Sequence, residues 1–269
     1  MSQLASSHEH AIATYGCMDL RAAFNNALPT PDWASSTSAG IVVALMELED
    51  WQPWLHDARN LIDAADRGRV ERRRFAADRD DLMLGYALHR LLLAAALGRD
   101  AADVPLIRDE RGCPRLADRS LWTSLSHVDG YIALAVTAIG PVGIDIELAT
   151  RAAVMPEIAE RVCHPADAAA IAGLVPPAWN IALLALWVRK EALLKAAGVG
   201  LEREMSGFSA PEIGLLPLSP LAGEMTQLRM LDAGPRWVGA VAGPPGAPVE
   251  SAWLRPNGSG GGRTTGDAG

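Results

Sequence analysis

Positive charge is in short supply in this chain. Lys and Arg together number 24 against 32 Asp and Glu, for a formal net charge of -8. A general nucleic-acid binder needs the opposite balance, because phosphate contacts are made by a basic surface. Cysteine is scarce as well. Cys17, Cys113 and Cys163 are odd in number, far apart and without metal-ligand spacing, so neither a disulfide framework nor a zinc site is expected, and the chain reads as reduced and cytoplasmic. Long apolar runs are also missing. The greasiest segments, residues 82–97 and 181–188, the first broken by His89 and Arg90, fall short of the roughly 20 residues that cross a bilayer. Residues 1–40 hold no continuous apolar stretch of signal-peptide type. No membrane association is expected.

What the chain has is a core. Hydrophobic residues make up 49% of 269, enough for one large domain or two modest ones. Residues 1–40 are rich in Ser, Ala and Thr, carry Pro29 and Pro31 and show no sustained period. They read as a mobile extension with a short helix near 19–27, and their removal up to residue 38 is expected to leave the fold unchanged. Residues 41–48 are aliphatic and β-branched and predict a strand. Residues 57–75 are charged and predict helix, with Arg67, Arg69, Arg72, Arg73 and Arg74 as a basic run. Residues 78–97 predict an amphipathic helix stopped by Gly98, and 108–116 a turn between short extended pieces. Strands are expected at 121–126, 131–138 and 142–147, short helices at 156–163 and 165–174, and a long helix at 178–197. The segments 228–231, 237–242 and 249–254 predict an antiparallel sheet, and 258–269 a low-complexity disordered tail. The pattern is α+β, divided as a first lobe at 41–138 and a second at 139–257, each with an opening strand, a long helix and later strands.

Two places carry chemistry. In Val142-Gly-Ile-Asp-Ile-Glu147, Asp145 and Glu147 stand two apart, so a strand points both carboxylates from one face and gives Val142, Ile144 and Ile146 to the other. Adjacent carboxylates beside a core need a cation: a basic side chain, a shared proton, or a hard metal ion such as Mg²⁺. In Trp187-Val-Arg-Lys-Glu-Ala-Leu-Leu-Lys195, the residues Trp187, Glu191 and Lys195 share one helical face. Alone, a Glu–Lys pair at this spacing is an ordinary surface feature adding roughly 0.3–0.5 kcal/mol. Ser126 and His127 end the preceding strand, where a hydroxyl and an imidazole can meet a phosphate. Trp187 and Leu194 read as core. On residue chemistry alone, a Mg²⁺-dependent phosphohydrolase using Asp145, Glu147 and Glu191, or a binding protein without turnover, remain open beside a transferase.

Taken together, these pieces resemble a known family. Residues 187–201 are similar to the W-x-x-K-E-x-x-x-K-x-x-G-x-G-L signature of the 4′-phosphopantetheinyl transferases, and 142–147 to their G-[IV]-D-[IV]-E signature. Arg72 to Phe75, Asp78, Arg79, Leu84, Gly85, Leu88 and Arg90 fit the flanking pattern, as do Gly112 and Pro114. The resemblance spans roughly residues 41–242 and is closest to the monomeric, surfactin-synthetase-type branch. It implies a two-lobed pseudo-twofold fold and transfer of the phosphopantetheine arm of coenzyme A to a serine of an acyl or peptidyl carrier protein. It also implies Mg²⁺ on Asp145, Glu147 and Glu191, Glu191 as general base, and Lys195 beside the phosphates. Coenzyme A contacts are implied for Arg72, Arg79, Ser126, His127, Asp145, Lys190 and Lys195, with a helix-packing salt bridge as the other role open to Lys190. The chain departs from the pattern at Cys113, where relatives commonly have a lysine associated with coenzyme A and Arg111 or Arg115 could substitute. It departs again at Asp81, where relatives often carry a basic residue.

Overall fold

The computed structural model describes residues 18–109, 111–199, 203–218, 224–256 and 264–265. It is an α+β structure in which one plan is used twice. The first sheet contains β1 (Ile41–Glu47), β4 (Trp122–Val128) and β5 (Tyr131–Thr137); the second contains β6 (Gly143–Leu148), β8 (Met225–Leu231) and β9 (Trp237–Gly243). In each, an opening strand leads to a long helix and then to an antiparallel hairpin whose second strand pairs antiparallel with the opener: β5 with β1, and β9 with β6. The long helices are α4 (Ala76–Leu97) and α7 (Ala178–Ala197). Each stops at a left-handed glycine, Gly98 at φ 60° and Gly198 at φ 66°, a conformation that costs any other residue its Cβ clearance. The expected α+β class is borne out.

Three apolar clusters join these elements. Val42, Ala44 and Met46 on one face of β1 pack with Leu84, Leu88 and Leu92 of α4. Leu183, Leu186 and Leu194 of α7 pack on Ala240 and Ala242 of β9. The other face of β1, with Ile41, Val43 and Leu45, meets Val142, Ile144, Ile146 and Val241 of the second sheet. Because β1 is buried on both faces, its sequence is continuously apolar instead of alternating. The basic stretch after residue 54 forms two helices, α2 (Leu55–Leu61) and α3 (Ala64–Glu71), divided where Asp63 caps α3 by accepting from the Asp66 N–H at 2.8 Å. Between α4 and β4 lie β2 (Leu106–Arg108) and β3 (Pro114–Leu116), an antiparallel pair. After β6 come a 3-10 helix (Ala149–Ile158) and the short helices α5 (Ala159–Val162) and α6 (Pro165–Ile171); β7 (Leu215–Pro217) edges the second sheet. None of the described helices is long and apolar enough to cross a membrane.

The ends of the chain differ from expectation. Residues 18–40 are docked. Asp19 caps α1 (Leu20–Ala27), and Leu20, Ala23 and Phe24 are fully buried, with Phe24 6.1 Å from the Trp51 ring. The apolar stripe at i, i+3, i+4 is only one turn deep, so Ser- and Thr-rich neighbours hide it in composition. The extension expected over 1–40 is therefore part of the first-lobe core from residue 18 on; residues 1–17 lie outside the described residues. At the other end, β10 (Val249–Trp253) leaves the second lobe and pairs parallel with β1, Ile41 opposite Val249 and Leu45 opposite Trp253. The lobe boundary at 257 fails for this reason: the last full strand belongs to the first sheet. Most of 258–269 lies outside the described residues, but β11 (Thr264–Thr265) pairs with β10.

If α1 contributes to the core as its burial implies, Phe24→Ala should lower unfolding free energy by about 3–5 kcal/mol, the usual cost of emptying an aromatic site. Equilibrium urea unfolding measures this. A loss under about 0.5 kcal/mol, the range of neutral surface changes, would mean that α1 does not hold the lobe.

Candidate active site

Two sheets and one helix converge on Asp145. Strand β6 runs so close to α7 that a Cβ on Gly143 would stand 2.0 Å from the Ala192 carbonyl oxygen and 2.4 Å from the Ala196 nitrogen. This contact sets the carboxylate face of β6 against the helical face bearing Glu191 and Lys195. Lys195 Nζ lies 2.8 Å from Asp145 Oδ1. From the other side, β4 meets the open edge of β6 through side chains. Ser124 Oγ accepts the Ile144 N–H at 3.1 Å, and Ser126 Oγ accepts the Ile146 N–H at 3.4 Å while donating to Asp145 Oδ1 at 2.8 Å. Ser126 is thus corrected from a phosphate contact to a clamp on Asp145: it is buried and turned from solvent toward the neighbouring strand.

The acids are costly where they stand. Asp145 and Glu147 are 5% and 7% exposed. Burial, with Asp145 adding to it, pushes Glu147 up to about 7, and burial and Asp145 also raise Glu191; Arg151 and Lys195 act against both shifts. Glu147 is paired with Arg151, four residues on. Asp145 Oδ2 is buried with no partner among the described residues. Among those residues no three His, Cys, Asp or Glu side chains stand together closely enough to hold a metal as they are. The donors fit a hard divalent cation in kind: three carboxylates, one with an orphaned oxygen and two whose ionisation burial resists.

Beside this cluster opens a cavity of about 860 Å³. One wall is Lys195 with Val142 and Ala196; the others are His127 and Ser124 of β4, Tyr86 of α4, and the β2–β3 arms. Arg73, Arg108, Arg111, Arg115 and Arg119 line it, a cationic interior in a net acidic chain. Arg108 is fixed by Asp66 at 2.6 Å and lies 3.9 Å above the Tyr86 ring; Arg115 is held by Asp109 at 2.8 Å; Arg111 donates to the Gly198 carbonyl at 3.1 Å. His127 faces Asp81, and burial lowers its pKa against that acid's pull. Cys113 also lines the cavity, its thiol pushed up by burial and by Asp109.

Not every expected contact sits on this wall. Arg72 is exposed and off the cavity, and Arg79 donates to the Arg73 and Arg74 carbonyls at 3.0 and 3.2 Å, shaping the loop that presents Arg73. Lys190 takes the second of the two roles open to it, a helix-packing salt bridge, and not the coenzyme A contact. It is fully buried, with Nζ 2.7 Å from Asp167 Oδ2 and 2.6–2.7 Å from the carbonyls of Val162, Met205 and Phe208, so no phosphate reaches it. Gly200 and Leu201 of the helix signature lie outside the described residues. Arg108 and Arg119 were missed by sequence reasoning, although Arg108, Arg111, Arg115 and Arg119 recur at three- and four-residue intervals around the Gly-Cys-Pro turn. Trp187 is more than core: Arg151 stacks 4.8 Å from its ring centre.

Comparison with known proteins bears on this geometry. Residues 141–232 match the family model described as the 4′-phosphopantetheinyl transferase superfamily. The chain is 26% identical over 197 residues to the 4′-phosphopantetheinyl transferase HetI of Nostoc sp., covering 72% of this chain and 81% of that one. It is 29% identical over 149 residues to a 4′-phosphopantetheinyl transferase of Bacillus subtilis, covering 55% and 65%. The resemblance read from the motifs is borne out.

Two outcomes test the assignments above. Lys190→Met strands Asp167 without its cation, so urea unfolding should show a loss of about 3–5 kcal/mol; stability left intact would mean that Lys190 is not held in the core. For Glu147 the sign follows from its raised pKa. Between the ordinary 4.5 and about 7 the folded state holds the extra proton, so this contribution to stability is full below 4.5 and fades as pH rises through 7. In metal-free buffer, the melting temperature of the wild type should therefore fall more than that of Glu147→Gln between about pH 6 and about pH 8. Parallel curves for the two proteins would place Glu147 in water.

Proposed function

We propose that this chain, a member of the 4′-phosphopantetheinyl transferase superfamily, transfers the 4′-phosphopantetheine arm of coenzyme A to a serine of an apo acyl or peptidyl carrier protein and releases adenosine 3′,5′-bisphosphate. The observation that carries this is the arginine-lined cavity ending at Lys195, which itself grips Asp145. A ligand with several phosphates matches the cavity, and its diphosphate end would lie against the carboxylates. A purely apolar substrate would leave the guanidinium groups uncompensated.

In this reading Arg73, Arg108, Arg111, Arg115 and Arg119 offset the phosphates of coenzyme A, with His127 as a further donor. Lys195 acts as a point charge at the diphosphate. Asp145 through its unpartnered Oδ2, with Glu147 and Glu191, would hold Mg²⁺, which supplies charge neutralisation at the diphosphate when bound. Glu191, whose pKa burial and Asp145 raise, takes the proton of the incoming serine hydroxyl. The serine oxygen forms a bond to the phosphorus bearing the pantetheine arm, and the phosphoanhydride bond to the nucleotide breaks. Both electron pair and negative charge leave with the bisphosphate. The residues named here all belong to one chain, in keeping with action as a monomer, and Cys113 and Cys163, free among the described residues, are in keeping with the cytoplasm. The basic run before α4 would draw an acidic carrier toward the cavity mouth.

A panel of apo-carrier proteins incubated with coenzyme A and Mg²⁺ and weighed by mass spectrometry tests the reading: at least one carrier should gain a single phosphopantetheine. No gain on any carrier, with coenzyme A bound, would reduce the chain to a binder. On a carrier that is modified, Glu191→Gln should slow turnover by roughly 10²–10⁴, the share of general-base catalysis, and raised Mg²⁺ should not restore it. Glu147→Gln should instead be partly restored. The reverse pattern would move the base onto β6.

A further inference from the structure

Glu147 already has a cation. Its carboxylate meets the Arg151 guanidinium, which projects from the 3-10 helix that follows β6. The ring of Trp187 on α7 lies against that guanidinium, 4.8 Å from centre to carbon, and the Trp187 indole N–H also favours the Glu147 carboxylate. Arg151 is therefore seated between the end of β6 and the middle of α7, the two elements that carry the carboxylates. The two partners differ in access. The Arg151 side chain is 36% exposed and that of Glu147 10%, so the arginine reaches in from solvent while the acid stays in place. Asp145 has Lys195 and Ser126 on one oxygen and, among the described residues, no partner on the other. Of the acids at the junction, then, one presents a free oxygen and one is covered by an arginine.

We propose that Arg151 is a displaceable internal counter-ion: it occupies Glu147 in the resting protein, Trp187 holds its guanidinium there, and a divalent cation gains Glu147 only by turning Arg151 out into solvent. This rests on the reading above that Asp145, Glu147 and Glu191 receive such a cation. Two physical reasons support the arrangement. A buried carboxylate left without a cation is strongly destabilising, and a resident arginine keeps Glu147 compensated until the metal arrives. Competition also sets the affinity, because a ligand binds more weakly by the fraction of protein in which its site is free. The flat guanidinium suits the seat, since it can pair with a carboxylate and stack on an indole at once, which an ammonium does poorly.

The test is calorimetric titration of Mg²⁺ alone, and of Mn²⁺ alone, into the wild type, Arg151→Gln, Arg151→Lys and Asp145→Asn, each first shown to melt cooperatively. Arg151→Gln should bind several-fold to about tenfold more tightly than the wild type. Arg151→Lys should also bind more tightly, by a smaller factor. It keeps the charge, so an influence of charge through space alone would leave its affinity at the wild-type value. Should Arg151→Gln fail to fold, the lysine variant decides alone. Affinity unchanged or weakened in the arginine variants, while Asp145→Asn loses binding, overturns the counter-ion proposal and leaves the metal reading standing. Binding that is absent throughout, or untouched in Asp145→Asn, overturns the metal reading and the proposal with it.

Discussion

No side chain fits between Gly143 and the backbone of α7, and the placement of every acid in the site follows from that. A strand and a helix normally stand apart by the thickness of their side chains. Here the strand's first residue has none, and the Ala192 carbonyl and Ala196 nitrogen fill the space a Cβ would take. Asp145 is two residues further along β6, and Lys195 belongs to the same turn of α7 that Gly143 touches, so a 2.8 Å ion pair between them follows with little room for variation. Burial of Val142, Ile144 and Ile146 in the cluster between the sheets fixes the strand's rotation. A twist that swung Asp145 away would expose those three side chains, at about 1.5–3 kcal/mol each.

The same economy runs through the charges. The site holds buried acids and a cavity of guanidinium groups, and much of each is tied down before any substrate arrives. Asp145 has Lys195, Glu147 has Arg151, Arg108 has Asp66 and Arg115 has Asp109. Arg111 crosses between lobes to the carbonyl of Gly198, at the negative end of the α7 dipole. Gly198 is constrained by its φ of 66°, and Arg115 Nη2 stands 2.5 Å from where its Cβ would be. Preorganised charge of this kind loses little on reorganising when an anion binds.

Much of this was legible in the sequence, and the rest was hidden for identifiable reasons. Period and glycine stops located α4 and α7 closely, and the strand positions of β1, β5 and β6 followed from their aliphatic runs. The carboxylates and Lys195 were found because their spacing on strand and helix projects them to one face. Lys190 points about 100° from Glu191 on a helix, which left a phosphate contact and a packing salt bridge both open, and only the structure shows Asp167 and the carbonyls of two other segments closing around it. Ser126 was misplaced because a hydroxyl beside a histidine looks like a phosphate contact, while the strand edge that it actually satisfies lies 20 residues away. The docking of α1 and the crossing of β10 are tertiary facts: short amphipathic and alternating segments do not say which sheet will accept them.

By lacking a side chain, Gly143 lets β6 lie against α7 and so positions the carboxylates. Steady-state transfer by Gly143→Ala, alongside its thermal melt, measures this most directly. A methyl group here forces β6 and α7 apart, and displacements near 1 Å cost on the order of 10² in rate. Transfer should fall by that factor, or the protein should be too destabilised to assay, with far-UV circular dichroism reporting which has occurred. A folded Gly143→Ala protein with wild-type rate and wild-type melting temperature would contradict it.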